Sequence, residues 1–363
     1  MLTSSNLFDR AAVQQIRAME GPQRSQLVRK FWPETSIRRH AFDEYSCAAI
    51  LDHIATELEQ VRRHGQHYAA QDFDSTFVII QLIRNNISAR YEDIVSLVLG
   101  SFSTASPDAI HHSIELSVRI WLTIDIRTQN FIDRPIFPGD VPMDWAKGVS
   151  LEELLLNQFG RRARLKHDRA SSKLDSAFTA SFLVNTCGLK LRWSDDIANH
   201  LSFDPKIFVL TVYRHKACLS SHLHNHQGCP IPVGVLEEML DTMDLLFPPL
   251  DLATQHLLQK EGQPSLYTLG CHRSVRILDI AHYKYFGHAL EELMDAFDKT
   301  PQTWKQLAFD RRNKLEWSAF WVTIMVALLT VISIPCNIIQ ATYSVKAYHV
   351  ALAQGNNAVR AEL

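Results

Sequence analysis

Charge imbalance is what this chain has least of. Lys and Arg number 37 against 39 Asp and Glu, a formal net charge of −2 over 363 residues. No basic field is available for a phosphate backbone, so nucleic acid is not an expected partner. Cysteine is sparse as well. Cys47, Cys187, Cys218, Cys229, Cys271 and Cys336 are widely scattered, which sets no disulfide framework and points to reduced thiols in a cytosolic domain. The segment 1–20 mixes acids and bases and lacks the apolar core of a secretory signal. Patterns of the G-x-S-x-G, G-x-G-x-x-G, P-loop and H-E-x-x-H types are missing, which removes the usual hydrolase, dinucleotide, nucleotide and metalloprotease signatures. There is no internal repeat and no low-complexity tract.

One absence is local. No Asp, Glu, Lys or Arg lies between Glu316 and Lys346. Within that interval Trp317–Ile339 exceeds the ~20 apolar residues that cross a bilayer as a helix. Eleven of its residues are Val, Ile, Leu or Phe, together worth roughly −3 to −7 kcal/mol of insertion free energy before polar offsets. Trp317 and Trp321 at one end, and Tyr343 and Tyr348 at the other, suit the headgroup layers. The sequence therefore predicts a single-pass membrane protein with a transmembrane helix over 317–343 and a short tail over 344–363. Lys305, Arg311, Arg312 and Lys314 precede the span against Lys346 and Arg360 after it, which orients the N-terminus to the cytosol. With no signal segment, insertion follows synthesis, and an endomembrane is the favoured address.

Upstream of the span, helical periodicity dominates, and the predicted fold class is mainly α. Phe42–Arg63 repeats Ala49, Leu51, Ile54, Leu58 and Val61 at helical spacing. Ser106-Pro107 opens a helix reaching about Ile124, on which Glu115 and Arg119 are four apart and read as a surface pair. Ser150 with Glu153 is a capping-box pattern, and Thr300-Pro301 opens a further helix. Gly188 stops a helix before Leu189–Trp193, a strand. Ser194 then caps a helix Asp195–Leu201, and Lys206–Tyr213 is a second strand, giving a small strand–helix–strand element. Linker composition over 128–148 and 160–172 suggests a cut near 150 or 165: a helical N-terminal region 1–150 and a helical region with the β element over 165–310.

The stretches SIELSVRIWLT (Ser113–Thr123), LRWSDDIANHLSFD (Leu191–Asp204), VYRHKACL (Val212–Leu219), DRRNKLEWSAFWV (Asp310–Val322) and YSVKAYHV (Tyr343–Val350) resemble a group of filamentous-ascomycete membrane proteins. The resemblance runs from about Asp108 onwards and much less over the first hundred residues. It implies a fungal source and the same order of a helical cytosolic region, a small β element and one C-terminal span. It implies no catalytic residue.

Four constellations could carry chemistry. Tyr213–Cys229 concentrates His215, Cys218, His222, His224, His226 and Cys229. Cys and His are preferred zinc ligands, so His215, Cys218, His222, His226 and Cys229 are the candidate metal set, although their spacing fits no standard finger or ribbon. A surface helix and loop with solvated histidines is the alternative. Asp195 and Asp196 with His200 suggest acid–base work, or else a helix first turn that favours acids. Arg161, Arg162, Arg164, Lys166 and Arg169 form a basic run suited to an anionic leaflet or a solvated loop. In the span, Thr323, Thr330, Ser333, Asn337, Gln340 and Ser344 fall within a ~100° arc at ~3.6 residues per turn, a face able to meet a second copy or another membrane protein. The alternative is that Thr and Ser bond their own backbone, with Asn337 and Gln340 at the membrane edge beyond Pro335.

The leading functional reading is a membrane-anchored protein with a cytosolic helical domain acting through protein contacts. The competing reading is a membrane-associated enzyme, metal-dependent through Tyr213–Cys229, or an accessory protein, in a fungal specialised-metabolism pathway. A deep polar pocket would favour the enzyme and a flat apolar patch the adaptor.

Overall fold

A computed structural model describes residues 6–19, 21–32, 44–128, 142–163, 173–298 and 314–361. The described α-helices are α1 (Arg10–Ala18), α2 (Gly21–Phe31), α3 (Glu44–Val61), α4 (Phe73–Asn85), α5 (Tyr91–Ser101), α6 (Pro107–Leu122), α7 (Leu151–Ala163), α8 (Ala180–Asn185), α9 (Lys216–His224), α10 (Val233–Leu246), α11 (Leu252–Lys260), α12 (Ser265–Thr268), α13 (Gly287–Asp298) and α14 (Lys314–Ala361). The strands are β1 (Ile126–Arg127), β2 (Met143–Asp144), β3 (Lys190–Ser194), β4 (Ser202–Asp204) and β5 (Val209–Tyr213). The protein is mainly helical with a small β element and one long apolar C-terminal helix, and it divides into two compact units, 1–299 and 300–363.

The first unit is built around α6. Ser106 is extended and accepts a bond from Ala109 N, and Pro107 occupies the first turn, where its missing N–H costs nothing. From His112 to Leu122 every residue is buried, with α3, α4 and α5 packed alongside. A helix covered on all sides has no solvent face, so the predicted Glu115–Arg119 surface pair does not form. Both residues are buried. Arg119 turns to Glu57 on α3, at 3.2 Å, while Glu115 accepts from the Thr128 backbone at 2.5 Å. Side chains on either side of residues 150–165, such as Ile54, Trp121, Leu210, Leu236 and Phe286, share one buried cluster.

The β element forms where expected, with more in it than the sequence suggested. Gly188 takes φ 77, a left-handed turn that ends the helical stretch before β3. Strand order is β3-β5-β4, with β5 central, parallel to β3 and antiparallel to β4. The predicted helix Asp195–Leu201 is only a 3-10 turn, Ile197–Asn199, and Asp196 rather than Ser194 caps it. Leu201 and Phe208 both adopt left-handed backbone (φ 55 and 57), immediately before the strands β4 and β5. The Ser150 hydroxyl accepts from Glu153 N, as the capping pattern implies. Within the basic run, Arg162 donates to the carbonyls of His200 and Ala198 and lies over the Phe286 ring, so it holds the body together. Arg161 is exposed. Arg164, Lys166, Arg169 and the Thr300-Pro301 start fall outside the described residues.

In the second unit α14 runs for 48 residues. Within its segment Trp317–Ala351 the most apolar 18-residue window has mean hydropathy 2.3, and none of that window is buried. It is long and apolar enough to cross a membrane. On the predicted contact face, Thr323, Thr330 and Ser333 donate to the carbonyls of Ala319, Val326 and Thr330, the backbone bonding expected of hydroxyls in a helix. Asn337 and Gln340 stand exposed on the same arc.

His200 generates a stability prediction. It is fully buried, its Nε2 is 2.8 Å from Thr242 Oγ1, and its Nδ1 accepts from Tyr213 N. Burial, aided by the Arg162 charge, lowers its pKa to about 3. The unfolded chain takes up this proton near pH 6.5, whereas the native state does so only near 3. Stability is therefore complete above pH 6.5 and falls by about 1.4 kcal/mol per pH unit as the pH drops through this window. Urea midpoints measured against pH should fall less steeply in His200→Gln than in the parent; parallel curves would contradict this account.

Candidate functional site

Four polar residues of α3, His53, Thr56, Glu57 and Gln60, recur at helical spacing on one face. Ile54, Leu58 and Val61 are buried in the core. Facing that stripe are Arg119 near the end of α6, the Thr123–Asp125 corner after it, and Arg192–Asp196 with Thr211 from the sheet. Together they line a cavity of about 290 Å³, near the lower end of small-molecule sites. Thr123 holds left-handed backbone at φ 53, a conformation β-branched residues seldom adopt. A 2.6 Å bond between its hydroxyl and that of Tyr213 keeps it there.

The register of the parallel strands assembles the polar cluster at the cavity wall. Ser194 pairs with Tyr213, and Arg214 N donates to Ser194 O. The residues that follow, Asp195 on one strand and Arg214-His215 on the other, therefore emerge side by side. Asp195 receives Arg214 Nε at 2.5 Å and Nη2 at 3.0 Å, and His215 Nε2 approaches at 2.6 Å. His53 Nδ1 lies 3.9 Å from the other carboxylate oxygen. Burial alone would raise the Asp195 carboxyl; the His215 hydrogen bond, the charges of His215 and His53, and the Arg214 bond outweigh it and hold it well below the carboxylate range. Burial lowers His215 to about 4 despite the pull of Asp195, so its imidazole is neutral at pH 7.

Unpartnered polar atoms gather here. Among the described residues, His53 Nε2, Gln60 Oε1 and Arg119 Nη2 are buried and make no hydrogen bond. Each such group costs about 1–3 kcal/mol, and native proteins tolerate few of them. All three belong to residues that line the one cavity.

The sequence-predicted metal set is spread out by comparison. His215 belongs to the cluster just described. Cys218 is buried on α9, and burial pushes its thiol up. His222 is buried and accepts from Trp32 Nε1 at 3.3 Å, with its pKa lowered to about 3 by burial and the nearby Arg84 charge. His226 is exposed beyond the helix end, and Cys229 is buried, its thiol raised by burial to about 12. Among the described residues, the group whose ligand atoms all lie within 4.8 Å of one another is His53, Asp195 and His215. Only His215 is common to both sets. Of the Asp195, Asp196 and His200 constellation, Asp195 and Asp196 both line the cavity, Asp196 also caps the 3-10 turn, and His200 is locked against Thr242 away from it. Sequence reasoning missed His53, Glu57, Gln60 and Arg119. Their signal was a polar stripe on α3 and a charge pair inside the most apolar helix of the body.

The buried Glu57–Arg119 pair should be strongly coupled. Arg119→Met strips the guanidinium from a buried carboxylate and should destabilise the body by about 3 kcal/mol. Adding Glu57→Gln should recover at least about 1 kcal/mol of that loss; simple additivity in denaturant melts would show that the pair is uncoupled. No protein-family profile matches this chain, and neither a curated protein nor a solved structure shows significant similarity to it.

Proposed function

We propose that this chain is a membrane-anchored enzyme whose cytosolic body takes a small polar substrate into the chamber between α3, the end of α6 and the sheet. The observation that carries this reading is the group of buried, unpartnered polar atoms of His53, Gln60 and Arg119 around one cavity. A body acting only through surface contacts gains nothing from such costly groups. Anchoring through Trp317–Ala351 agrees with its length and hydropathy, and the basic excess before the span supports a cytosolic N-terminus. The motifs resembling filamentous-ascomycete membrane proteins support the same order of body and span, and a fungal source.

A second reading, contact with another membrane helix, has one observation in its favour. Asn337 and Gln340 share an arc of an apolar helix, and such side chains join helices at about 0.6–2 kcal/mol each. Replacing both, Asn337→Leu with Gln340→Leu, should then abolish crosslinking between spans; unchanged crosslinking removes this reading.

Two measurements test the main proposal. Alkaline washing should leave the full-length chain in the membrane pellet, and its release would overturn the anchoring. For the chamber, the detergent-solubilised protein is screened by thermal shift against a set of polar metabolites. At ~100-fold excess over Kd a true ligand contributes about 2.7 kcal/mol, a rise of several degrees. Thr56→Trp, which fills the cavity, should abolish that rise while preserving the unliganded Tm. Absence of any shift, or equal shifts in both proteins, would overturn the chamber.

A further inference from the structure

We propose that His53, Asp195 and His215 form a zinc-class divalent metal site with one coordination position open to the chamber. This deepens the enzyme reading and rests on it for the role of the ion, while metal binding itself is tested separately.

Three observations carry the proposal. The first is the donor set. Two imidazoles and one carboxylate, from α3, the end of β3 and the end of β5, are the protein ligands of a catalytic rather than a structural zinc centre, where three side chains leave a fourth position for solvent or substrate. The second is spacing. Zinc bonds of ~2.0–2.2 Å set a tetrahedral ligand-to-ligand edge of about 3.4 Å. The observed separations from the Asp195 oxygens, 2.6 Å to His215 Nε2 and 3.9 Å to His53 Nδ1, straddle that edge. All three ligand atoms lie within 4.8 Å of one another, so shifts on the order of 1 Å bring them onto one ion. The third is His53 itself. It is 6% exposed; Nδ1 is too far from Asp195 for a hydrogen bond, and Nε2 has no partner among the described residues. A metal bond at Nδ1 would fix this buried ring, which no hydrogen bond to Asp195 now holds, and leave Nε2 to face the chamber's occupant.

The nearby Arg214 is compatible with a cation. It grips both Asp195 oxygens from one side, leaving lone pairs on each, and so orients the carboxylate as outer-shell partners of metal ligands do. Its charge is shared with Asp52, whose Oδ2 is 4.0 Å from Nη2. His215 enters the coordination sphere by moving its ring proton from Nε2 to Nδ1, so no proton need leave the site.

The test is calorimetric titration of Zn²⁺ into chelator-treated, full-length protein in detergent, followed by metal analysis after gel filtration. One equivalent should bind. His53→Ala and the milder His53→Gln should each weaken binding by more than the ~100-fold that outer-shell changes reach, with the Tm of the metal-free protein retained. His226→Ala should leave binding unchanged. No stoichiometric zinc in the parent, or unaltered affinity in both folded His53 variants, would overturn the site. Zinc lost in Cys218→Ala or Cys229→Ala but kept in the His53 variants would overturn it in favour of the Tyr213–Cys229 ligands. The thermal-shift screen repeated on metal-free protein separates the two proposals: ligand shifts without zinc binding sink only the metal site, and zinc binding without ligand shifts sinks only the chamber.

Discussion

Placing a guanidinium in a protein interior costs several kcal/mol unless a carboxylate and hydrogen bonds replace its water. Arg119 makes that demand at the centre of this molecule. It rides on α6, a helix with no solvent face, and it is 3% exposed. The answering charge comes from Glu57 on α3, which fixes how these two helices face each other. The Glu57 stripe also contains His53, Thr56 and Gln60, so the same constraint that seats the arginine turns a polar face of α3 towards the sheet. The cavity lies where that face meets the C-terminal ends of the parallel strands β3 and β5. Ligands commonly bind at such ends in parallel sheets, and here the pairing of Ser194 with Tyr213 delivers Asp195, Arg214 and His215 to the same edge.

Much of the scaffold was legible because its signals are local. Ser106-Pro107, Ser150 with Glu153, and Gly188 act within one turn of themselves, and each marks an element boundary in the structure. The charge-free stretch 317–345 within α14 is similarly readable from composition. Strand β4 was missed because three residues, Ser-Phe-Asp, carry no period. The helix expected at Asp195–Leu201 contracted to one turn because Leu201 leaves helical backbone to start that strand.

The site was much less legible. Its members, residues 53, 119, 195 and 215, come together only through tertiary pairing, and no spacing rule connects them. The dense Tyr213–Cys229 histidines drew notice because they are neighbours in sequence, but they radiate from α9 and the following turn in different directions. His222 goes to Trp32 and His226 to solvent, while His215 precedes the helix and faces Asp195. Glu115 and Arg119 showed how spacing misleads: a four-residue interval predicts contact only if nothing stronger competes, and burial supplied stronger partners to both.

Pro335 lies one residue from the midpoint of Trp317–Ala351. Having no N–H, it cannot donate to the Val331 carbonyl, and prolines are where long helices bend. The apolar segment is about 52 Å long at ~1.5 Å per residue, against a hydrocarbon core of ~30 Å. A stiff rod of that length must tilt steeply or stretch the surrounding lipid. Pro335 therefore marks the point where this helix yields most easily, with about 26 Å of helix on either side, so that a bend there would absorb excess length within the helix and suit it to bilayers of different thickness.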